Sequence, residues 1–125
     1  MNDRMLLEAA ARAAGIVGTY DEPIPGICGI YEPVIGGADC PWNPLANDGQ
    51  ALRLAVKLHI QISIYKESAT VWAHTPELLG YGSGGCPSYQ AHSLISEPFG
   101  GDPNAATRRA IVRAAAAMGS KSNRS

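Results

Sequence analysis

The chain has 125 residues, a mass of 13.1 kDa and a formal net charge of −1, with 46% apolar but only 6% aromatic residues. One domain is expected, because two cores would leave each half at about 60 residues, a marginal size. The near-neutral charge lacks the cationic excess of a nucleic-acid coat. With no run of about 18 apolar residues and no basic leader before an apolar stretch, neither a membrane span nor a secretion signal is expected.

Asn2 or Asp3 caps a first predicted helix, Asp3 to Ala14, in which Leu6, Ala9, Ala10 and Ala13 recur at helical spacing before Gly15. Residues 16 to 46 hold five prolines and five glycines and read as a long loop. Within it, Gly29 to Gly37 is able to pair briefly at a sheet edge. Asn47 and Gln50 make a capping-box pattern for a second helix, Asn47 to Leu58, with Leu52, Ala55, Val56 and His59 on one face. The period then switches to two: Ile60, Ile62 and Ile64 share one face of a strand. A turn at Lys66-Glu67-Ser68 leads to its antiparallel partner, Ala69 to His74. Residues 75 to 88 read as a second glycine-rich loop, and Ser88 to Ser96 as a third strand. Asp102-Pro103 opens a third helix that is expected to stop at Gly119, leaving 120–125 as a flexible basic tail. The sum is an α+β domain over 1–119, a short and mainly antiparallel sheet packed by three helices. The residues alone draw these helices mostly against the isoleucine face, whereas a small α/β/α sandwich carries them on both faces.

Three segments carry a resemblance: Leu6 to Ile16, Trp42-Asn43-Pro44-Leu45 continuing through Leu58, and Asp102 to Ala116 with its Ala106-Thr107-Arg108-Arg109-Ala110-Ile111-Val112-Arg113 core. Together they resemble the phage ABA sandwich domain family. The resemblance covers roughly half the chain and departs from the family at 16–41 and 75–90. It implies helices packed around a short sheet and a phage or prophage setting in the cytoplasm of a bacterial host, and it brings no catalytic residue set. Read physically, the Trp42 segment is structural: Trp42 is a packing anchor, Asn43 before Pro44 is extended, and Asn47 caps the helix.

The net charge conceals an asymmetry, since residues 1–101 carry net −5 and 102–125 carry net +4. Arg108, Arg109 and Arg113 on the last helix are by default solvated surface. Alternatively, their forked donors form a docking patch for phosphate or an acidic partner. Tyr81 and Tyr89, set among glycines and serines, are suited to ligand or partner contact. These five residues are the candidate binding set.

Three cysteines, Cys28, Cys40 and Cys86, leave one unpaired under any scheme, as expected in a reducing compartment. With His59, His74 and His92 they lack the close ligand pairs of a structural zinc site. If a metal or thiol centre exists, Cys86, His92 and His74 form it. Pro87 after Cys86 gives the wrong setting for a nucleophile elbow, the glycine loop lacks the lysine of a P-loop, and the carboxylates are dispersed. No cofactor is expected. The leading expectation is a non-enzymatic phage accessory protein that binds a host protein or a small nucleotide-like ligand. The alternative is a metal- or thiol-dependent enzyme centred on Cys86, His92 and His74. A homo-oligomer is expected, because so small a core gains burial by pairing.

Overall fold

The computed structural model describes residues 2–25, 27–31, 41–81, 84–85 and 87–122; at 24, 75–81, 87–93 and 120–122 the description is of the backbone alone. The elements in chain order are α1 (Asp3–Ala14), β1 (Thr19–Ile24), β2 (Ile27–Tyr31), α2 (Asp48–Leu58), β3 (Gln61–Tyr65), β4 (Thr70–Tyr81), β5 (Pro87–Pro98) and α3 (Pro103–Ser122). The class is α+β, with an antiparallel hairpin β1-β2 and an antiparallel three-stranded sheet in the order β3-β4-β5.

The helices start and stop where their side chains satisfy orphan backbone groups. Asn2 Oδ1 accepts from the Met5 amide at 2.9 Å and Gly15 closes α1 in the left-handed conformation. Asp102 Oδ1 accepts from the Asn104 and Ala105 amides, both at 3.1 Å, with Pro103 as the first helical residue of α3. Asn47 Oδ1 accepts from the Gln50 amide at 2.9 Å, but the expected capping box is only half formed. The Gln50 side chain turns away and accepts from the Asn43 amide at 2.6 Å.

Asn43 is the hub of the helix entry. Its Nδ2 donates to the Cys28 carbonyl at 2.9 Å, its Oδ1 accepts from the Leu45 amide at 3.1 Å, and its own carbonyl accepts from the Ala46 and Asn47 amides. Trp42 exchanges two backbone hydrogen bonds with Ile30, at 2.8 and 2.9 Å. The segment that opens α2 is thereby stitched to β2.

Helices cover one face of the large sheet. Register pairs Ile62 with Ala73 and Ile64 with Val71, and on this face Val71 and Ala73 are fully buried beneath α3. As drawn from the sequence, the isoleucine face is the helix face. Ile60, however, precedes the strand, where its amide caps α2 at the Ala55 carbonyl, and Ile64 at the sheet edge is 60% exposed. Alanine dominates the buried set: Ala9, Ala10 and Ala14 of α1 and Ala106, Ala110, Ala114, Ala115 and Ala116 of α3 belong to one cluster with Leu6, Leu54, Val112 and the sheet. Small side chains let helix backbones approach closely, so the scarcity of large residues is a packing mode of the helix layer.

Two loop expectations need correction. Thr19–Ile24 and Ile27–Tyr31 pair as an antiparallel hairpin, and it covers a second face of α1, where Leu7 and Ala11 pack on Ile30. Pro23 is tolerated because the register is irregular between Asp21 and Ile24, so the missing amide breaks no ladder bond there. The Gly29 to Gly37 pairing expected at a sheet edge starts earlier in the chain, and residues 32–40 lie outside the described residues. In the second loop, β4 runs on to Tyr81 and β5 begins at Pro87, making a two-stranded ribbon that extends beyond β3. Glycine and proline there are accommodated by register shifts between Thr75 and Pro76 and between Leu78 and Gly80. At the other end of the chain, α3 does not stop at Gly119 but continues to Ser122. Gly119 sits inside the helix because its bare α-carbon lies against the Ala9 carbonyl of α1.

Candidate functional site

The three arginines of α3 reach three different elements. Arg108, whose side chain is 18% exposed, donates from Nε to the Leu45 carbonyl at 2.8 Å and pairs with Asp48 at the start of α2. Arg109 pairs with Asp3 of α1 at 3.0 Å. Arg113 pairs with Glu97 and donates to the Ser96 carbonyl at 3.1 Å, both on β5. Arg109 and Arg113, with side chains 38% and 40% exposed, keep the solvated surface expected of them, whereas Arg108 is tucked against the start of α2; each of the three also ties α3 to a neighbouring element. The acidic partners are scattered through the sequence, which is why no local spacing disclosed them.

Arg109 and Arg113, one turn apart, do meet in one place. With Leu6, Ile95, Glu97, Ala116 and Ala117 they line a depression of about 470 Å³ between α1, α3 and β5. Its apolar floor and mixed-charge rim suit an amphipathic anion, provided the anion displaces Asp3 and Glu97 from the guanidinium groups. Arg108 faces α2 instead. Tyr81 ends β4 opposite Pro87, and Tyr89 pairs with Leu78. Tyr89 is thus eight residues along β5 from Glu97, about 25 Å at the usual strand rise. The five candidate binding residues do not form one site.

Of the metal or thiol set, His74 is the member whose side chain is described. Its Nε2 lies 2.7 Å from Gln61 Oε1, across the β3-β4 pair. His92 is the extra residue at the first register shift, between Ala91 and Ser93. Cys86 lies outside the described residues, and its neighbour Pro87 stands five residues from His92 along β5, about 16 Å. Among the described residues, no group of three His, Cys, Asp or Glu side chains is arranged to hold a metal ion. Cys28 is a half-buried free thiol. The Tyr20 hydroxyl is hydrogen-bonded to it, which together with desolvation pushes the Tyr20 pKa up from 10.0 to about 12, and the Arg4 guanidinium stacks 5.4 Å from the Tyr20 ring centroid.

A second candidate surface was not singled out from the sequence. On the sheet face away from α3, register sets three rows side by side: Gln61, His74 and Leu94; Ser63, Trp72 and Ser96; Tyr65, Thr70 and Pro98. Ser63, Tyr65, Ser68, Trp72, His74 and Leu94 line a shallow depression of about 490 Å³. Tyr65 is 51% and Leu94 59% exposed. None of these nine register positions is Lys, Arg, Asp or Glu, so the face offers aromatic and aliphatic surface with neutral hydrogen-bonding groups at its margin. The signal for it lay in the period-two alternation of β3 and β4, which puts Tyr65 and Trp72 opposite the isoleucines. Leu94 joins them only through the β4-β5 register.

Among the described residues, no helix is long and apolar enough to cross a membrane. No protein-family model, curated protein or solved structure matches the chain.

Proposed function

We propose that the chain is a non-enzymatic binding protein that engages a host protein through the open face of its three-stranded sheet. The observation that carries this reading is the uncharged, aromatic character of that face, with Tyr65 and Leu94 about half exposed on either side of Trp72. A polyanion finds no cation there, whereas protein interfaces concentrate Trp and Tyr at the centre of the contact and deplete charge. The likeness of the Trp42 and Arg108 segments to phage ABA sandwich proteins supports a phage accessory role in the cytoplasm of a bacterial host.

Photo-crosslinking tests this. A benzophenone amino acid at position 94, in the full chain expressed in bacteria, is expected to give one discrete adduct whose purified partner binds Trp72→Ala at least about tenfold more weakly, as for an interface hot spot. A partner bound equally by Trp72→Ala, or the same adduct from a probe at Arg12 on the exposed side of α1, overturns it.

A second reading, a small nucleotide-like ligand, draws on the convergence of Arg109 and Arg113 in the α1-α3-β5 depression. Protein recognition is preferred because both guanidinium groups already have carboxylate partners. Calorimetric titration with nucleoside triphosphates is expected to give no heat of binding. Micromolar binding that disappears in Arg113→Ala would reverse the preference.

A further inference from the structure

The two edges of the large sheet are treated differently. The β5 edge begins and ends in proline, carries the irregular register, and has its Ser96 carbonyl occupied by Arg113 and Glu97 paired to the same guanidinium. These are the usual devices that blunt an edge strand. The β3 edge has none of them. Gln61-Ile62-Ser63-Ile64-Tyr65 contains no charge and no proline, pairs with β4 in unbroken register, and has no other described strand on its outer side. It also exposes large apolar groups on both faces, Ile64 at 60% toward the helix side and Tyr65 at 51% toward the open side. The helix leading into it exposes Leu52 and Val56, one turn apart, at 61% and 67%.

We infer that β3 pairs antiparallel with β3 of a second copy of this chain, joining the two three-stranded sheets into one of six strands. The sequence of the strand is self-complementary for this partner. An isologous contact relates residue i to j and j to i, and antiparallel neighbours share a face. The register that keeps all five residues paired is centred on Ser63. It sets Ile62 against the partner's Ile64, Ile64 against the partner's Ile62, and Gln61 against the partner's Tyr65. The apolar pairs then extend the core face across the two-fold axis, and no like charges meet along the strand. A five-residue edge alone buries less than the roughly 800 Å² per partner of a standard interface, which makes the dimer one that forms at tens of micromolar rather than at nanomolar concentration. Pairing of this kind leaves the Trp72 face open and doubles it, so the dimer goes beyond the partner-binding reading without depending on it.

Sedimentation of the purified full chain at tens of micromolar is expected to give twice the 13.1 kDa chain mass. Ile64→Lys and Tyr65→Lys, with unchanged far-UV circular dichroism, are each expected to sediment as monomers. Under mild oxidation Ser63→Cys is expected to form a covalent dimer beyond the wild-type background, since its two copies face each other at disulfide distance. Gln61→Cys is not, because its two copies lie four residues apart along the strands, about 13 Å. A monomeric wild type, a dimer that survives both lysine variants, or cross-linking through position 61 rather than 63 overturns the inference. All are read without any host partner, so a failure here leaves the open-face reading intact, and loss of the partner adduct leaves the dimer intact.

Discussion

Gly119→Ala is expected to lower stability by about 3 kcal/mol, although the same exchange inside an ordinary helix raises it by about 1 kcal/mol through propensity. The reason is the contact between α1 and α3. A Cβ at position 119 would overlap the Ala9 carbonyl and crowd the Ala13 amide, and these are backbone atoms that no rotamer change can move. The helices must separate, and the alanine layer of Ala9, Ala10, Ala14, Ala110, Ala114 and Ala115 has no long side chains to fill the gap. For a chain of this size the loss corresponds to a Tm lower by roughly 10 °C. Urea unfolding of Gly119→Ala beside Gly49→Ala checks the argument. In α2 the new methyl would meet only the Asn47 and Arg53 side chains at 3.3 and 3.4 Å, so a change within about 1 kcal/mol is expected there. Equal effects at the two positions would show that backbone approach is not the cause.

Gly29→Ala is expected to detach the β1-β2 hairpin from the α2 entry at a cost of about 2–3 kcal/mol. Gly29 has φ +153°, and an added Cβ would stand 2.6 Å from the Trp42 carbonyl oxygen and 2.9 Å from Pro41 Cβ. That carbonyl accepts from Ile30, and the neighbouring Asn43 side chain accepts and donates within the same junction, so displacing it breaks several hydrogen bonds together. Because Trp42 packs against Ile30, Leu7 and Ala11, the local readout is a red shift of tryptophan fluorescence in Gly29→Ala. The shift should be absent when Trp42 is replaced by Phe in the same background. An unshifted spectrum together with wild-type stability would mean that the junction yields without strain.

Local chemistry accounts for what was legible in the sequence. Asn2, Asn47 and Asp102 are caps whose partners lie within three residues, and the starts of α1, α2 and α3 follow from them. The alternation of Ile62 and Ile64 with Ser63 and Tyr65 disclosed both the strand and which of its faces meets the helices. Glycine and proline counts misled at 19–31 and 75–81, because hairpins with register shifts tolerate both residues where the ladder is interrupted. Gly119 misled in the opposite way. A glycine near the end of an alanine-rich run has the same local signature whether it stops a helix or admits a neighbour, and only the position of α1 distinguishes them.

The candidate surfaces divide along the same line. The arginines were visible as charges, but their partners Asp48, Asp3 and Glu97 are 60, 106 and 16 residues away, so the clamps that occupy them exist only in three dimensions. The open face draws on three strands whose alignment depends on the β3-β4 and β4-β5 registers, while the sequence shows each strand singly. From the sequence came one small α+β chain with an alanine-rich core, an acidic body and a basic last helix. The tertiary structure decided where that basic charge is spent, which glycine lets two helices touch, and which uncharged face and edge remain open among the described residues. Each of these depends on contacts between segments far apart in the chain, and local propensity and periodicity carry no information about such distances.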